Sequence, residues 1–293
     1  VEMKIQEPIN RVTRKQKLKN YSKHPGSFLL ALLTKLAILL TVLALGFILI
    51  YILVKGIPNL STDLFALKYT TENVSMLPAI INTLIITLLS LCIAGPIGIF
   101  SAIYLVEYAK KGNKLVGVVR VTAETLTGIP SIVYGLFGML FFVTTLKCGY
   151  SLLAGALTLS IMVLPVIMRT TEEALLAVPN SFREGSFGLG AGKLRTIFKI
   201  VLPSAVPGIL AGVILAIGRI VGETAALIYT AGTVAEIPSS IMSSGRTLAI
   251  HMYSLSKEGL YTDQAYATAV VLLIVVVLIN MLSNFVAKKF TKK

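Results

Sequence analysis

The residues most able to do chemistry in this chain are charges set inside apolar sequence. Arg219 and Glu223 stand four apart in GRIVGETAAL, within a long hydrophobic run. On one continuous helix that spacing puts both on the same face. A charge at mid-membrane costs roughly 2.5–3.5 kcal/mol on insertion scales, so each should face a protein interior and have a partner. Two readings stay open. The pair could lock two helices together, or Arg219 could meet an anionic solute with Glu223 orienting it, since a guanidinium forks onto the oxygens of a phosphate-like anion. Arg169 precedes Glu172 and Glu173, and Arg120 precedes Glu124 by four residues. These groups read as anchors at a membrane interface.

The remaining candidates carry no reaction. His24 and His251 are isolated. Cys92 and Cys148 lie in or beside apolar runs without metal-ligand spacing and read as buried thiols. No Ser/His/Asp set, metal cluster or carboxylate dyad emerges, so the chain is not expected to be an enzyme. Glycines 188, 190 and 192 suggest a phosphate loop, but Lys193 is followed by Leu194 and no strand precedes them. Both the Walker and the dinucleotide patterns fail. Any ATP and Mg must therefore be bound by another subunit.

The elements that position these residues follow from composition. The chain has 293 residues, 55% hydrophobic and only 14% charged, with net charge +14 and mean hydropathy +0.84. A soluble fold, a disordered chain and a disulfide scaffold are excluded. Nucleic-acid binding is excluded because the basic residues flank apolar runs. Six runs are long enough, or nearly so, to cross a bilayer: 28–54, 77–106, 115–145, 151–168, 205–231 and 265–287. The first exceeds a signal-peptide core and is expected to stay as an anchor. Gly128 and Pro130 predict a break in the third run, and Gly95, Pro96 and Gly98 a bend in the second. Nineteen Lys and Arg flank the runs on one side and five on the other, which puts both termini in the cytoplasm. The fold class is an all-α polytopic membrane protein. It comprises a basic tail (1–27), a first span (28–54), a five-helix core (77–287) and a basic end (288–293).

The cytoplasmic segment 170–203 is the most informative. Pro179 should end one helix, and Ser181 with Glu184 has the spacing of a capping box. After the glycine run, a second helical piece from Lys193 should stop at Pro203. Glu184-Gly185-Ser186, three residues, Gly190, nine residues and Ile200-Val201-Leu202-Pro203 resemble the EAA loop of ABC importer permeases, with Gly and Ser in place of the two alanines. The resemblance implies a coupling helix seated in an ATP-binding subunit, with Glu184 capping it or pairing with a partner's basic residue. Phe182, Phe187, Leu189, Ile197 and Phe198 could dock there or pack on the span ends.

A second resemblance covers residues from about 70 to the C-terminus. GIPSIVYGLFG (128–138), VIMRTTEEAL (166–175), RIVGETAALIYTAG (219–232) and RTLAIHMYSLSKEG (246–259) look like the permeases of the phosphate-specific ABC importer, nearest the PstA type. It implies a bacterial cytoplasmic-membrane permease. Its implied partners are a homologous PstC-like permease, two copies of an ATP-binding subunit and an extracytoplasmic phosphate-binding protein. It also implies roles in phosphate passage for Arg219 and Glu223, and for Arg169. A permease for another oxyanion and a gradient-driven secondary transporter are the rivals; the latter would need inverted repeats and coupling-ion sites that the sequence does not display.

Overall fold

The structure is a computed structural model and describes residues 25–110 and 112–291. The basic tail with His24, Lys111, and Lys292–Lys293 lie outside the described residues. Every regular element among the described residues is helical. The chain forms two compact units, one up to Val54 and one from Lys55. The first unit is the helix α1 (Pro25–Gly56), whose most apolar stretch buries nothing. Its exposed aliphatic side chains suit a lipid surrounding.

The second unit begins with two 3-10 turns, Ile57–Asn59 and Thr62–Phe65. Then come α2 (Leu77–Ile103), α3 (Lys114–Thr127), α4 (Ser131–Gly138), α5 (Leu152–Leu176), α6 (Asn180–Gly188), α7 (Lys193–Thr196), α8 (Leu202–Val221), α9 (Ala225–Ile228), α10 (Leu248–Glu258) and α11 (Thr262–Thr291). Five helices are long and apolar enough to cross a membrane, and six spans result if the bent pair α3–α4 counts as one. That pair turns by 103° at Gly128–Pro130, as the missing Pro130 N–H requires.

α5 is the central helix. Leu159, Met162, Val163 and Ile167 are wholly buried on it. α2 and α8 pack along its length. Against α2 the contact is close: a Cβ on Gly98 would sit 3.0 Å from Ile167 Cγ2, and Ser160 Oγ donates to Ser90 O at 3.2 Å. Against α8 it is closer still. Gly208 and Gly212 form a G-x-x-x-G face, and a Cβ on Gly212 would meet Thr170 Oγ1 at 1.9 Å. In lipid, where apolar surface gains nothing from mere contact, such small-residue seams let helix backbones approach.

Four boundary expectations are corrected. α5 runs to Leu176, eight residues beyond the expected end of the fourth run at 168. α6 starts after Pro179 with no side-chain cap, and Ser181 and Glu184 are exposed, so the capping box does not form. Pro179 had already fixed the helix entry two residues earlier than the box requires. Pro203 does not stop the second piece: 193–221 is one continuous helical run. A π turn at Ile197–Val201, where Leu202 N–H reaches back to Ile197 O, adjusts the backbone so that Pro203 falls in the first turn of α8, where its missing N–H does no harm. The fifth run is broken at Gly222. Cys92 is exposed on the bundle surface and Cys148 is partly exposed, so the buried-thiol reading fails.

Candidate functional site

The break after Val221 decides the geometry of the intramembrane charges. Arg219 lies in the last turn of α8, and Glu223 lies beyond the helix end. They therefore do not share a helix face. Glu223 is buried and its Oε1 accepts from Ala226 N–H at 3.1 Å. It satisfies a free donor at the start of α9, as a capping side chain does. Arg219 is half-buried and has no ion pair or hydrogen bond among the described residues. Tyr134 on α4 lies within electrostatic reach of it and donates its own hydroxyl to Leu126 O at 2.7 Å. The α9 turn is held against α4 and α5: a Cβ on Gly135 would sit 2.8 Å from Ala226 Cα, and one on Gly155 3.0 Å from Leu227 Cδ2. The result is a guanidinium without a counter-ion at a helix break, beside a carboxylate occupied with the backbone.

Arg169 belongs to a different cluster. It pairs with Glu124 at 3.3 Å and Glu173 at 3.2 Å, while Arg120 pairs with Glu172 at 2.5 Å. The expected Arg120–Glu124 pair is thus replaced by links between α3 and α5. These five charges line a cavity of about 310 Å³ with Ala123, Met168 and Leu176. Gly212 faces Thr170, and Arg219 is seven residues further along α8, about 10 Å by helix rise. Arg219 and Arg169 are accordingly not one site.

The segment after α5 forms a rigid bracket. Arg183 on α6 donates from Nε and Nη2 to Glu107 Oε1 at 3.0 and 2.7 Å. It also donates to Val178 O at 2.8 Å and Leu175 O at 2.9 Å. One side chain thereby joins α6, the end of the α2 rod and the last turn of α5. Sequence reasoning missed this pair. The available signal was Glu107, a carboxylate closing the apolar run of α2. Ser186 and Thr196 bond through their hydroxyls at 2.8 Å and tie α6 to α7. Gly190 has φ +79. With Ala191 N–H on Ser186 O and Gly190 N–H on Phe187 O, it makes a Schellman closure, which is the physical reason for a glycine at that place. Glu184 and Gly185 stand exposed, as does Pro203, while Ile200 and Leu202 are partly covered. Ile197 is buried. Phe182, Phe187, Leu194 and Phe198 are roughly half exposed, and Leu189 is 90% exposed.

At the other end of α5, a loop region holds a second surprise. His251, read as incidental, is fully buried on α10 beside Tyr69 and Arg246. Burial lowers its pKa from 6.5 to about 3, the Arg246 charge adds to this, and the nearby Val74 backbone opposes it.

The sequence profile of the binding-protein-dependent transport system inner membrane component matches residues 94–293. The chain belongs to this family. Among its relatives, the phosphate transport system permease protein PstA of Pasteurella multocida is 36% identical over 269 residues, covering 87% of this chain and 92% of that one. The PstA protein of Haemophilus influenzae is 31% identical, covering 92% and 96%. The probable ABC transporter permease YqgI of Bacillus subtilis is 32% identical, covering 83% and 88%. A bacterial alginate ABC transporter, solved with its alginate-bound periplasmic protein, superposes with TM-score 0.67 over 93% of this chain and 98% of that one, at 17% identity. At that identity the likeness establishes the fold. The permease is a membrane-embedded ABC transporter subunit of the importer type.

Proposed function

We propose that this permease is the PstA-like half of a phosphate importer in a bacterial cytoplasmic membrane, with both termini cytoplasmic. It would pair with a PstC-like permease, two ATP-binding subunits that hold ATP and Mg, and an extracytoplasmic phosphate-binding protein. The observation that carries the proposal is Arg219, a half-buried cation with no partner among the described residues. A structural ion pair would have consumed its charge. Left free, its fork suits an oxyanion in transit. Glu223 positions the α9 turn beside it. Arg169, already shared between Glu124 and Glu173, would act at a separate, inner point of the path. The names of the relatives support phosphate as the solute.

Coupling follows from the bracket. The residues of the EAA-like pattern, Glu184, Gly185, Ser186, Gly190, Ile200, Leu202 and Pro203, would form the surface and hinge through which the ATP-binding subunit acts. A push on α6 is passed by Arg183 to Glu107 and to the end of α5. Because those contacts are hydrogen-bonded and not merely apolar, α6 and the ends of α2 and α5 move as one body.

The test is phosphate uptake in cells carrying Arg219→Gln, with assembly checked by co-purification of the ATP-binding subunit. Uptake should fall at least about tenfold with assembly intact, the loss expected when roughly 1.4 kcal/mol of charge-assisted contact is removed. Normal uptake would overturn the role of Arg219.

A further inference from the structure

Seven side-chain polar atoms among the described residues are shielded and lack a hydrogen-bond partner, and six of them lie in one place. They are Asn82 Oδ1, Arg246 Nε and Nη2, Thr247 Oγ1, and the two ring nitrogens of His251, whose ring lies close to the Val74 backbone without a well-formed hydrogen bond. Buried polar atoms in a folded protein are almost always partnered, so a concentration of orphans calls for a missing partner. The charge sharpens the point. Arg246 is 6% exposed and has no carboxylate partner among the described residues. One face of its guanidinium stacks on Tyr69, 4.6 Å from the ring centroid. Its backbone is pinned, with N–H on Val234 O at 2.8 Å and its carbonyl accepting from Asn82 Nδ2 at 3.2 Å. The side chain is thus held while its forked Nε–Nη2 edge, which matches two oxygens of an oxyanion, is empty. Lysine could not present that edge.

We propose that Arg246, backed by Tyr69, Thr247 and His251, is a second oxyanion site, at the end of the bundle opposite α6 and α7, where phosphate pauses before it reaches Arg219. The identity of the anion rests on the reading above. The opposition of ends is structural: Leu152 and Leu153 at the start of α5 bond to the 241–243 segment, and α6 follows its far end, about 37 Å away by helix rise. At neutral pH the imidazole is uncharged, so Arg246 supplies the positive charge and His251 and Thr247 offer neutral donors. The edge is buried in this conformation, and the loop that carries Tyr69, stacked on the guanidinium, is not relaxed. Val74, whose backbone lies beside the His251 ring, has φ +46, a strained conformation for a β-branched side chain. Movement of that loop would open the edge and relieve Val74 together.

The experiment uses the assembled transporter in nanodiscs without the binding protein. Amide exchange across 246–258 is followed with and without inorganic phosphate. Phosphate at roughly ten times its Kd should slow exchange about tenfold in the natural protein and in Arg219→Gln. Arg246→Gln should lose the effect, and Arg246→Lys should retain only part of it. Each variant is first shown to match the natural melting curve; if Arg246→Gln does not fold, Arg246→Lys alone carries the test. No phosphate-dependent protection in the natural protein, or equal protection in both Arg246 variants, would overturn the site. Protection by sulfate or molybdate but not phosphate, in a transporter that imports that anion, would sink the phosphate reading and leave the site standing.

Discussion

Four arginines among the described residues show how differently one side chain can be satisfied. Arg183 is saturated by one carboxylate and two carbonyls. Arg169 is shared between two carboxylates. Arg219 and Arg246 have neither. A guanidinium cannot shed its proton to escape burial, so these two keep their positive charge inside the fold. The neighbouring His251 behaves oppositely, because it can escape by staying neutral. Its pKa is lowered to about 3 in the fold and is 6.5 without it. The neutral form is therefore the folded form, and its stability contribution is complete above pH 6.5. As pH falls through that value the unfolded chain takes up a proton and the folded one does not. By pH 5 the difference reaches about 2 kcal/mol. Thermal melts of the purified permease should fall by that amount between pH 7 and pH 5, and His251→Phe should flatten the slope. A slope unchanged in His251→Phe would assign the pH response to other groups.

At the scale of elements, the molecule alternates seams and brackets. Gly208 and Gly212 let α8 lie on α5, and the π turn at 197–201 lets α7 run into α8 past Pro203. The Arg183–Glu107 bracket then fixes α6 to the end of α5 and to the α2 rod. Both side chains are largely buried, at 14% and 9% exposed. Removing one partner of such a pair strands the other and costs about 3–5 kcal/mol. Glu107→Gln is therefore expected to lower the melting temperature. It should also uncouple ATP hydrolysis from uptake, giving ATP turnover without phosphate movement in the reconstituted transporter. Tight coupling in Glu107→Gln would show that force reaches the spans through the apolar contacts of Ile197 and Val201 instead.

The whole molecule is built to be incomplete. α1 buries none of its most apolar stretch, and Val118 and Val121 on α3 and Leu140 beyond α4 are more than half exposed. In a membrane such surface faces lipid or another permease. On α6–α7 the same exposure falls on a polar, basic segment, where lipid does not explain it. Leu189, at 90% exposed, is the most prominent of these residues and suits a pocket in an ATP-binding partner. Leu189→Asp should weaken co-purification of that partner by about 2 kcal/mol or more, the loss typical of an anchoring residue, while the melt of the isolated permease is unchanged. Undiminished association would move the docking surface to Phe182 and Phe187.

Sequence alone determined the membrane class, the break at Pro130 and the glycine turn that closes α6, but not where the fourth and fifth spans end. Each of the first three depends on a property local to a few residues: run length, a missing N–H, a left-handed φ. Sequence could not determine which charges meet. Arg120 pairs with Glu172 and not with Glu124, Glu223 caps α9 and leaves Arg219 free, and Arg246 is buried in a loop that counted only as one external cation. Those outcomes depend on where helices end and which helix lies alongside. A helix that ends at Val221, two residues short of Glu223, turns an i,i+4 pair into two unrelated groups. Only packing in three dimensions, where the approach of α5, α8 and α9 is set by glycine seams, decides where that end falls.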